Sequence, residues 1–363
     1  KLPGDKGKNA IKAGNAIQIT QTPESEYNAV WRPDGLKIGY LSAKSGEMQL
    51  WEMRPDGSGA VQVSTVAGGI SNFAYAPDGK HVSFTCDVKL DQTVNELYPD
   101  LPLAKARLTD DLMYRHWNAW HDFSYSHVFI APYEDGKIGD PLDIMPGERF
   151  DCPIPPMGGG EQIAWSADGQ TIAYTSKKKI GKEFAVSTNS NVYLYNLASG
   201  VTTSIAESNP GYDQDPVYSP DGKYIAWTSM ERDGFESDRK RIFLHNTADG
   251  TSAELVKDKN RSADNVTWAL DGKSIYFTSD IKGTVQVFNI EVGTGKLRQI
   301  TEGQHNFNSI HVANGLLVGE LCSMAYPTEL YTVDPNTGSI GMLTTLNTEL
   351  LKGVSWGEVK PRT

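Results

Sequence analysis

A five-residue motif, an aromatic residue followed by two variable positions and then Asp-Gly, recurs along this chain and constrains its fold more than any other feature. The copies begin 44, 90, 53 and 50 residues apart, as expected of tandem structural repeats. The interval of 90 is about twice the others, which indicates either a skipped copy or an insertion. A degenerate sixth copy, HVANG, occupies 311–315. The full copies are WRPDG at 31–35, YAPDG at 75–79, WSADG at 165–169, YSPDG at 218–222 and WALDG at 268–272.

Each copy follows one plan of strand, turn and strand. Proline presets φ at the first central position of the turn, and glycine accepts the positive φ at which the hairpin closes. Segments such as KIGYLS and TIAYTS follow the motif, a third segment such as MQLWEM or NVYLYNL comes next, and a short one such as AVQVST completes the unit. Their alternation of apolar and small residues predicts β-strands. We therefore expect each repeat to be a four-stranded antiparallel sheet.

Four short strands cannot bury both faces of their sheet alone, whereas radially stacked sheets bury the faces between neighbours. A β-sandwich or barrel gives no reason for one turn that returns every 43 to 53 residues. The sequence thus predicts an all-β protein in which residues 17–363 form a single β-propeller domain. Six blades of four antiparallel strands are countable. The segments 17–20 and 353–359 are expected to supply a partial seventh blade or to close the ring.

Charge and hydropathy narrow the range of partners. The chain carries 34 Lys and Arg against 45 Asp and Glu, a formal net charge of −11, which repels nucleic acids and anionic membranes. No run of 18 apolar residues occurs, so no membrane-spanning helix is expected. Residues 1–16 are polar and lack the apolar core of a signal peptide. We interpret them as a flexible leader.

The spacing of the candidate residues does not match known catalytic or metal-binding motifs. The segment GVSWG at 353–357 matches the nucleophile elbow of α/β-hydrolases, but that chemistry needs a later Asp and His, and the last histidine is His311. VSW is instead expected to be a strand. The histidines lack HExxH spacing and no glycine-rich nucleotide motif is present, so we expect no metal and no cofactor. Cys86, Cys152 and Cys322 would allow one disulfide, but we interpret them as three buried thiols that act as small apolar residues.

An insertion, residues 89–126, interrupts the second repeat between its second strand (HVSFTCDV) and its third (HVFIAP). Loops that protrude from a repeat scaffold commonly carry function. Two interpretations stay open, a surface that contacts a substrate or partner and a cap on the blade. The insertion is predicted to be partly helical from the spacing of Leu108, Leu112, Arg115 and Trp117. Its clustered aromatic residues are Tyr114, Trp117, Trp120, Phe123 and Tyr125.

A second irregular segment, SMERDGFESDRKR at 229–241, separates the second and third strands of the fourth repeat. It is dense in charges of both signs. The residues alone favour an exposed loop laced by salt bridges.

The repeats resemble those of TolB-type and dipeptidyl-peptidase-type propellers, and longer strings narrow the resemblance. DDLMYRHWNAW, KKKIGKEFAVSTNSNVYLY, SMERDGFESD and SMAYPTELYTVDPNTG resemble the propeller of prolyl-oligopeptidase-family serine peptidases, in particular the dipeptidyl-peptidase 5 and acylaminoacyl-peptidase-like group. The resemblance covers residues 17–360. It implies a propeller followed by an α/β-hydrolase domain that carries the catalytic Ser, Asp and His and is absent from this chain. It also implies small peptides in a shared cavity and a periplasmic or secreted location in a bacterial envelope.

The resemblance further suggests which residues face that cavity and help to bind the substrate N-terminus. A free amine is a cation and pairs with carboxylates. The insertion carries Arg-His where dipeptidyl peptidases carry paired Glu, so Asp110, Asp111 or Asp122 are the carboxylates expected to take that role. From the insertion the expected residues are Asp111, Tyr114, Arg115, His116, Trp117 and Asp122. From the charged segment they are Glu231, Arg232, Asp233, Glu236 and Asp238.

A second function stays open at this point, a stand-alone TolB-like propeller that serves as a protein–protein interaction scaffold in the cell envelope. In both cases we expect no catalytic residue in this chain. The length of the open reading frame distinguishes the two, because the peptidase needs a further hydrolase domain with an elbow Ser.

Overall fold

The computed structural model of the protein describes residues 16–313, 315–355, 357, 359, 360 and 362. They fall into two compact units. The first unit comprises 19–216 and 229–238, and the second comprises 217–228 and the described part of 239–363, together with 16–18. β-strands dominate both units. Each copy of the motif lies where the first strand of a four-stranded repeat turns into the second.

The first unit contains three repeats with antiparallel neighbours. In the first and third repeats the strand order of the sheet follows the chain, whereas the second sheet has five strands, the last two of which both pair with its long third strand. The first repeat consists of β1 (Glu26–Trp31), β2 (Ile38–Ser42), β3 (Gln49–Met53) and β4 (Val61–Gln62). The second consists of β5 (Ser71–Tyr75), β6 (His81–Lys89), the inserted elements α1 (Val94–Leu97), β7 (Arg115–His116) and β8 (Ala119–Trp120), then β9 (Ser124–Glu134), β10 (Lys137–Ile138) and β11 (Leu142–Asp143). The third consists of a 3₁₀ turn (Gly160–Gln162), β12 (Ile163–Trp165), β13 (Thr171–Ser176), α2 (Gly181–Val186), β14 (Asn191–Asn196) and β15 (Val201–Ser204).

The second unit contains the fifth and sixth repeats, and the boundary between the units passes through the fourth. The fourth repeat consists of β16 (Asp213–Tyr218), β17 (Tyr224–Ser229), β18 (Arg241–Asn246) and β19 (Ser252–Glu254). The fifth consists of β20 (Asp264–Trp268), β21 (Ser274–Ile281), β22 (Thr284–Glu291) and β23 (Leu297–Gln299). The sixth consists of β24 (Asn306–Ala313), β25 (Leu316–Ser323), β26 (Tyr326–Val333) and β27 (Ile340–Met342). A parallel pairing of β22 with β24 joins the last two.

The turn predicted from the repeated motif is confirmed by the backbone. Its glycine has a positive φ in all five full copies, from +66° at Gly272 to +71° at Gly35. An L-residue with a Cβ is strained in this left-handed region, whereas glycine is not. The glycine of the motif therefore recurs because each hairpin needs that conformation at its last turn residue.

A second backbone feature of the repeats was not predicted. The first strands β1, β5 and β20 each contain a register shift, and each shift includes an asparagine with positive φ, namely Asn28, Asn72 and Asn265. The Asn28 amide donates to the backbone carbonyl of Phe73 in the next repeat at 3.2 Å. Asn265 does the same with Asn308 at 3.1 Å. The β-bulges at Asn28 and Asn265 therefore tie the first strands of successive repeats together.

The core of each unit lies between neighbouring sheets, as the repeat pattern predicts. In the first unit, Leu41 and Leu50 pack with Phe84 between the first two sheets. Trp165 packs against β9 between the second and third sheets, and its indole N–H donates to Ser83 Oγ at 2.9 Å. In the second unit, Trp268 and Phe277 belong to the cluster between the fourth and fifth sheets, and Val287 packs against the sixth.

Two finer expectations are wrong in the described residues, and the partial seventh blade is not confirmed. The segment 17–20 and the described residues of 353–359 contain no strand. Residues 108–117 are not helical, because the chain turns into the β7–β8 hairpin; the α-helix of the insertion is the single turn α1. The cysteines are free thiols, but Cys86 and Cys322 are half-buried and Cys152 alone of the three is buried. The leader falls, apart from its last residue, outside the described residues.

Candidate functional site

The insertion is a compact loop closed by its own backbone. Thr93 begins α1 with a reciprocal capping box, in which its side chain accepts from the Glu96 amide and the Glu96 carboxylate accepts from the Thr93 amide. Further along, β7 and β8 form a two-residue hairpin, and the His121 amide donates to the Tyr114 carbonyl at 3.0 Å. The hairpin thereby brings residues on both sides of its turn into one surface.

A small network fastens the insertion to the second sheet. The Asp91 carboxylate accepts from the Tyr125 hydroxyl at 2.8 Å and from Arg149 Nε at 2.7 Å. Burial opposes ionisation of Asp91, but these two hydrogen bonds outweigh it and lower its pKa. The amides of Leu90 and Asp91 both donate to the Phe123 carbonyl at 3.1 Å. The two ends of the insertion are therefore joined to each other and to the loop that carries Arg149.

A cleft of about 990 Å³ opens between the insertion, the loop that follows β11 and the start of α2. All of its lining residues belong to the first unit. The Asp111 carboxylate lies against Gly181, where it leaves no room for a Cβ and where φ is +58°. This close approach explains why glycine begins α2. The charged residues that line the cleft are Asp87, Asp91, Asp110, Asp111, Asp122, Asp151, Arg107, Arg115, Arg149 and Lys179.

Of the six cleft carboxylates, Asp91 alone forms an ion pair with a described residue within 4 Å, to Arg149. The other five, Asp87, Asp110, Asp111, Asp122 and Asp151, form none with the described residues. Partial desolvation raises the pKa of Asp87, and the negative charge of Asp122 raises it further. Burial also raises the pKa of Asp151, although its carboxylate accepts from the Ser126 amide at 2.8 Å. Like charges that share a cleft disfavour each other's ionised form. The arrangement therefore favours a cation among these side chains.

Aromatic rings form another part of the cleft wall. Tyr114 and Trp120 stack with their centroids 5.8 Å apart, and both remain substantially exposed. The Arg107 guanidinium lies 5.7 Å from the Trp120 ring and 5.3 Å from the Phe123 ring. Its Nη1 also donates to the His121 carbonyl at 2.6 Å. A guanidinium over aromatic faces holds the rings in place while they stay open to a ligand.

The predicted insertion residues separate into two groups. Five of them line the cleft and are brought together by the hairpin and the loop before it; these are Asp111, Tyr114, Arg115, His116 and Asp122. Trp117 lies outside it, with 68% of its surface exposed and its ring edge-on to His116. Asp110 also lines the cleft.

The charged segment 229–241 is an exposed loop over 231–237 with an internal ion pair, as its residues alone favour. The Asp233 carboxylate accepts from Ser187 Oγ at 2.6 Å and from the Thr188 amide at 2.8 Å, which fastens the segment to the end of α2. Arg232 forms a bidentate pair with Asp238. Glu231 and Glu236 are exposed. Residues of this segment are not among those that line the cleft.

Sequence reasoning missed Asp87, Arg149 and Asp151. Asp87 lies near the end of β6, next to the insertion, where the strand changes from buried to exposed residues. Arg149 and Asp151 follow β11 and reach the cleft only because that loop folds back over β9, where the Cys152 amide donates to the Ser126 carbonyl at 2.8 Å. Spacing along the chain gave no signal for this contact.

In the described part of the chain, no group of three or more His, Cys, Asp or Glu side chains is arranged to hold a metal ion. None of the helices found there is long and apolar enough to cross a membrane.

Comparisons with known proteins agree with the repeat architecture. Residues 162–352 match the TolB beta propeller domain family. The chain is 43% identical over 334 residues to dipeptidyl-peptidase 5 of Porphyromonas gingivalis, covering 92% of this chain and 49% of that protein. It is 39% identical over 333 residues to dipeptidyl-peptidase 5 of Porphyromonas endodontalis, covering 92% and 48%. The chain thus spans about half the length of the curated relatives it matches.

Among solved structures, the chain resembles Pyrococcus horikoshii acylaminoacyl peptidase with a TM-score of 0.67. The superposition covers 91% of this chain and 46% of that one at 17% identity. At this identity the likeness concerns the fold alone. It agrees with the family match and with the observed sheets, and the predicted β-propeller fold is confirmed.

Proposed function

We propose that this chain, which belongs to the TolB β-propeller domain family, is the non-catalytic propeller of a serine peptidase that releases dipeptides or acylated residues. In this proposal the propeller controls the access of peptides and binds the free N-terminus of the substrate in the cleft beside the insertion. Each of the six repeats is then one blade. The hydrolysis itself belongs to an α/β-hydrolase domain outside these 363 residues, and the whole protein acts in the periplasm or outside the cell.

One observation carries the proposal, the set of carboxylates without an ion pair in a cleft of peptide size, which includes Asp87, Asp122 and Asp151. None of these three forms an ion pair within 4 Å with a described residue, and the pKa of Asp87 is raised by desolvation and by Asp122. The α-amino group of a peptide is a cation at pH 7, because its pKa is about 7.7–8.0. It would relieve this like-charge repulsion and form charge-assisted hydrogen bonds.

The relatives support the choice of substrate. Their name, dipeptidyl-peptidase, describes an enzyme that must measure a short distance from a free N-terminus. A group that binds the amine at a fixed place provides that measure. The stacked Tyr114 and Trp120 offer an apolar face for the side chains that follow.

The test is a calorimetric titration of the 363-residue chain with glycyl-phenylalanine amide and with its N-acetylated form. Acetylation removes the positive charge and leaves the rest of the peptide unchanged. We expect the free amine to bind and the acetylated form to bind at least about tenfold more weakly, the size of a lost hydrogen bond between charged groups.

Variants locate the site. Asp122→Asn and Asp151→Asn each keep the size of the side chain and remove one negative charge, and each should weaken binding of the free amine by about tenfold to hundredfold. Asp100→Asn is the matched control, since Asp100 is an exposed residue of the insertion that does not line the cleft. Equal binding of the free and acetylated peptides would contradict the proposal.

A further inference from the structure

A buried histidine lies behind the cleft and contacts acceptors on both sides of its ring. His127, on β9, is fully shielded from solvent. Its Nδ1 lies 2.9 Å from Asp143 Oδ2, and its Nε2 lies 2.7 Å from the backbone carbonyl oxygen of Glu148. Neither a carboxylate nor a carbonyl can donate a hydrogen. Both contacts are hydrogen bonds only when both ring nitrogens carry a proton, that is, in the imidazolium form.

The two acceptors are the ends of one loop, and that loop leads into the cleft. Asp143 ends β11, and Glu148 directly precedes Arg149, which holds Asp91 of the insertion. Three residues beyond Glu148, Asp151 contributes its carboxylate to the cleft. The imidazolium therefore joins the start of the loop to the segment that carries two residues of the cleft wall.

We propose that His127 is a proton-operated latch for this wall of the cleft, closed in the imidazolium form and released at the Glu148 end when the ring loses one proton. The neutral ring has a single N–H, which stays with the stronger acceptor, the Asp143 carboxylate. The Nε2 lone pair then faces the Glu148 carbonyl oxygen and repels it. Arg149 and Asp151 lose their fixed position, so the latch regulates the cleft, and its effect on peptide binding rests on the proposed function.

The groups around the ring decide in which direction pH acts. The charged or titratable neighbours are Asp143 on β11, Cys86 opposite on β6, and Glu148, Asp151 and Lys178, the last paired with Glu148 at 2.6 Å. Burial lowers the pKa of His127, but the hydrogen bonds to Asp143 and Glu148 outweigh burial and raise it above 6.5. A raised histidine pKa stabilises the closed form below 6.5, and this stabilisation is lost as pH rises through the folded pKa.

The first measurement is an NMR titration of the histidine ring protons in the 363-residue chain. The His127 signal is assigned by its loss in His127→Gln. In the parent chain we expect this signal to titrate above pH 6.5. In Asp143→Asn we expect it to titrate at a lower pH than in the parent. This variant removes the negative charge but keeps an oxygen that can accept from the Met145 amide. Asp140→Asn, the same change at a nearby exposed position, should leave the His127 titration unmoved.

The second measurement is hydrogen–deuterium exchange of residues 144–151, corrected for the intrinsic effect of pH and compared with β13 of the third repeat. We expect exchange in 144–151 to increase about tenfold as pH rises through the His127 titration, the size of a lost hydrogen bond to a charged group. In Asp143→Asn the increase should occur at the same lower pH as the NMR titration.

The outcomes separate the latch from the proposed function, because neither measurement uses a peptide. Loop exchange that follows the His127 titration establishes the latch even if glycyl-phenylalanine amide does not bind. A His127 ring that stays neutral down to pH 6, or loop exchange that is independent of its titration, overturns the latch even if the peptide binds.

Discussion

The third repeat and the insertion belong to the same unit, yet they hold their shape in opposite ways. In the third repeat, Trp165, Ile172 and Tyr174 are buried between two sheets. In residues 90–123, all of which the structure describes, Val94 alone is buried. The insertion keeps its shape through a capping box, a two-residue hairpin and the hydrogen bonds of Asp91.

This difference separates stability from binding. Apolar burial provides most of the free energy of folding, so the repeats carry the stability of the unit. A segment with little buried area contributes little to it, but its polar and aromatic groups remain available to a ligand. We therefore expect changes in the repeat to alter the free energy of unfolding, and changes in the insertion to alter peptide binding and local mobility.

The largest expected effect comes from a matched pair of tryptophans. Trp165→Ala removes a buried ring of the repeat and should lower the free energy of unfolding by about 3–5 kcal/mol. Trp117→Ala removes a ring of the insertion that is 68% exposed and should change it by less than about 0.5 kcal/mol. Urea denaturation followed by circular dichroism measures both. Similar decreases in the free energy of unfolding of the two variants would contradict the conclusion that the repeats, and not the insertion, carry the stability of the unit.

A smaller effect on stability is expected at Asp91, which fastens the insertion to the second sheet. Asp91→Asn replaces an acceptor of Tyr125 and Arg149 by an amide, and it should loosen the insertion by about 1–3 kcal/mol while the global free energy of unfolding changes less. Because the pKa of Asp91 is lowered, this anchor persists at neutral pH and is lost only as pH falls below about 3.9. Hydrogen exchange of residues 90–123 measures the loosening, with Asp100→Asn as the control.

The cleft carboxylates predict a modest dependence of peptide binding on pH. The pKa values of Asp87 and Asp151 are raised above 3.8, so protons neutralise these groups at a higher pH than ordinary aspartates. Affinity for glycyl-phenylalanine amide should therefore decrease as pH falls from 6 towards 4, where the His127 latch is already closed. Calorimetric titrations at several pH values measure this. Affinity that stays constant to pH 4 would exclude these two carboxylates from amine binding.

The smallest effect is expected at the cap of α1. Thr93→Ala removes the side-chain acceptor of the capping box and should cost about 0.5–2 kcal/mol of local helix stability. Since α1 is one turn in an exposed loop, the midpoint of global unfolding should not change measurably. Exchange of the Glu96 amide is the local readout. A clear shift of the global midpoint would show that the insertion shares in the stability of the repeats.

The repeats were predictable because their signal is local. The aromatic residue, the Asp-Gly turn and the alternating segments each determine structure within a few residues, and KIGYLS, TIAYTS and NVYLYNL all contain the expected strands. The stacking of sheets followed from the need to cover two apolar faces. The bulges at Asn28 and Asn265 were not predicted, because a single asparagine within a strand is not enough to predict a positive φ.

The site was predictable only in part, because its residues meet through tertiary contacts. Asp111, Tyr114 and Asp122 were found because the aromatic and charged insertion is conspicuous in the sequence. Arg149 and Asp151 arrive from a loop whose position depends on His127 and on pairing with β9. The helical spacing assigned to residues 108–117 failed because the Tyr114–His121 backbone bond closes a hairpin there.

The separation of scaffold and site is tested most directly by a variant in which the insertion is replaced. Lys89 and Ser124 are paired neighbours on β6 and β9, so residues 90–123 can be exchanged for an Asn-Gly turn that suits a two-residue hairpin. We predict a folded chain whose free energy of unfolding lies within about 2 kcal/mol of the parent and which no longer binds glycyl-phenylalanine amide. A chain that fails to fold, or one that folds and still binds the free amine as the parent does, would contradict the separation of scaffold and site.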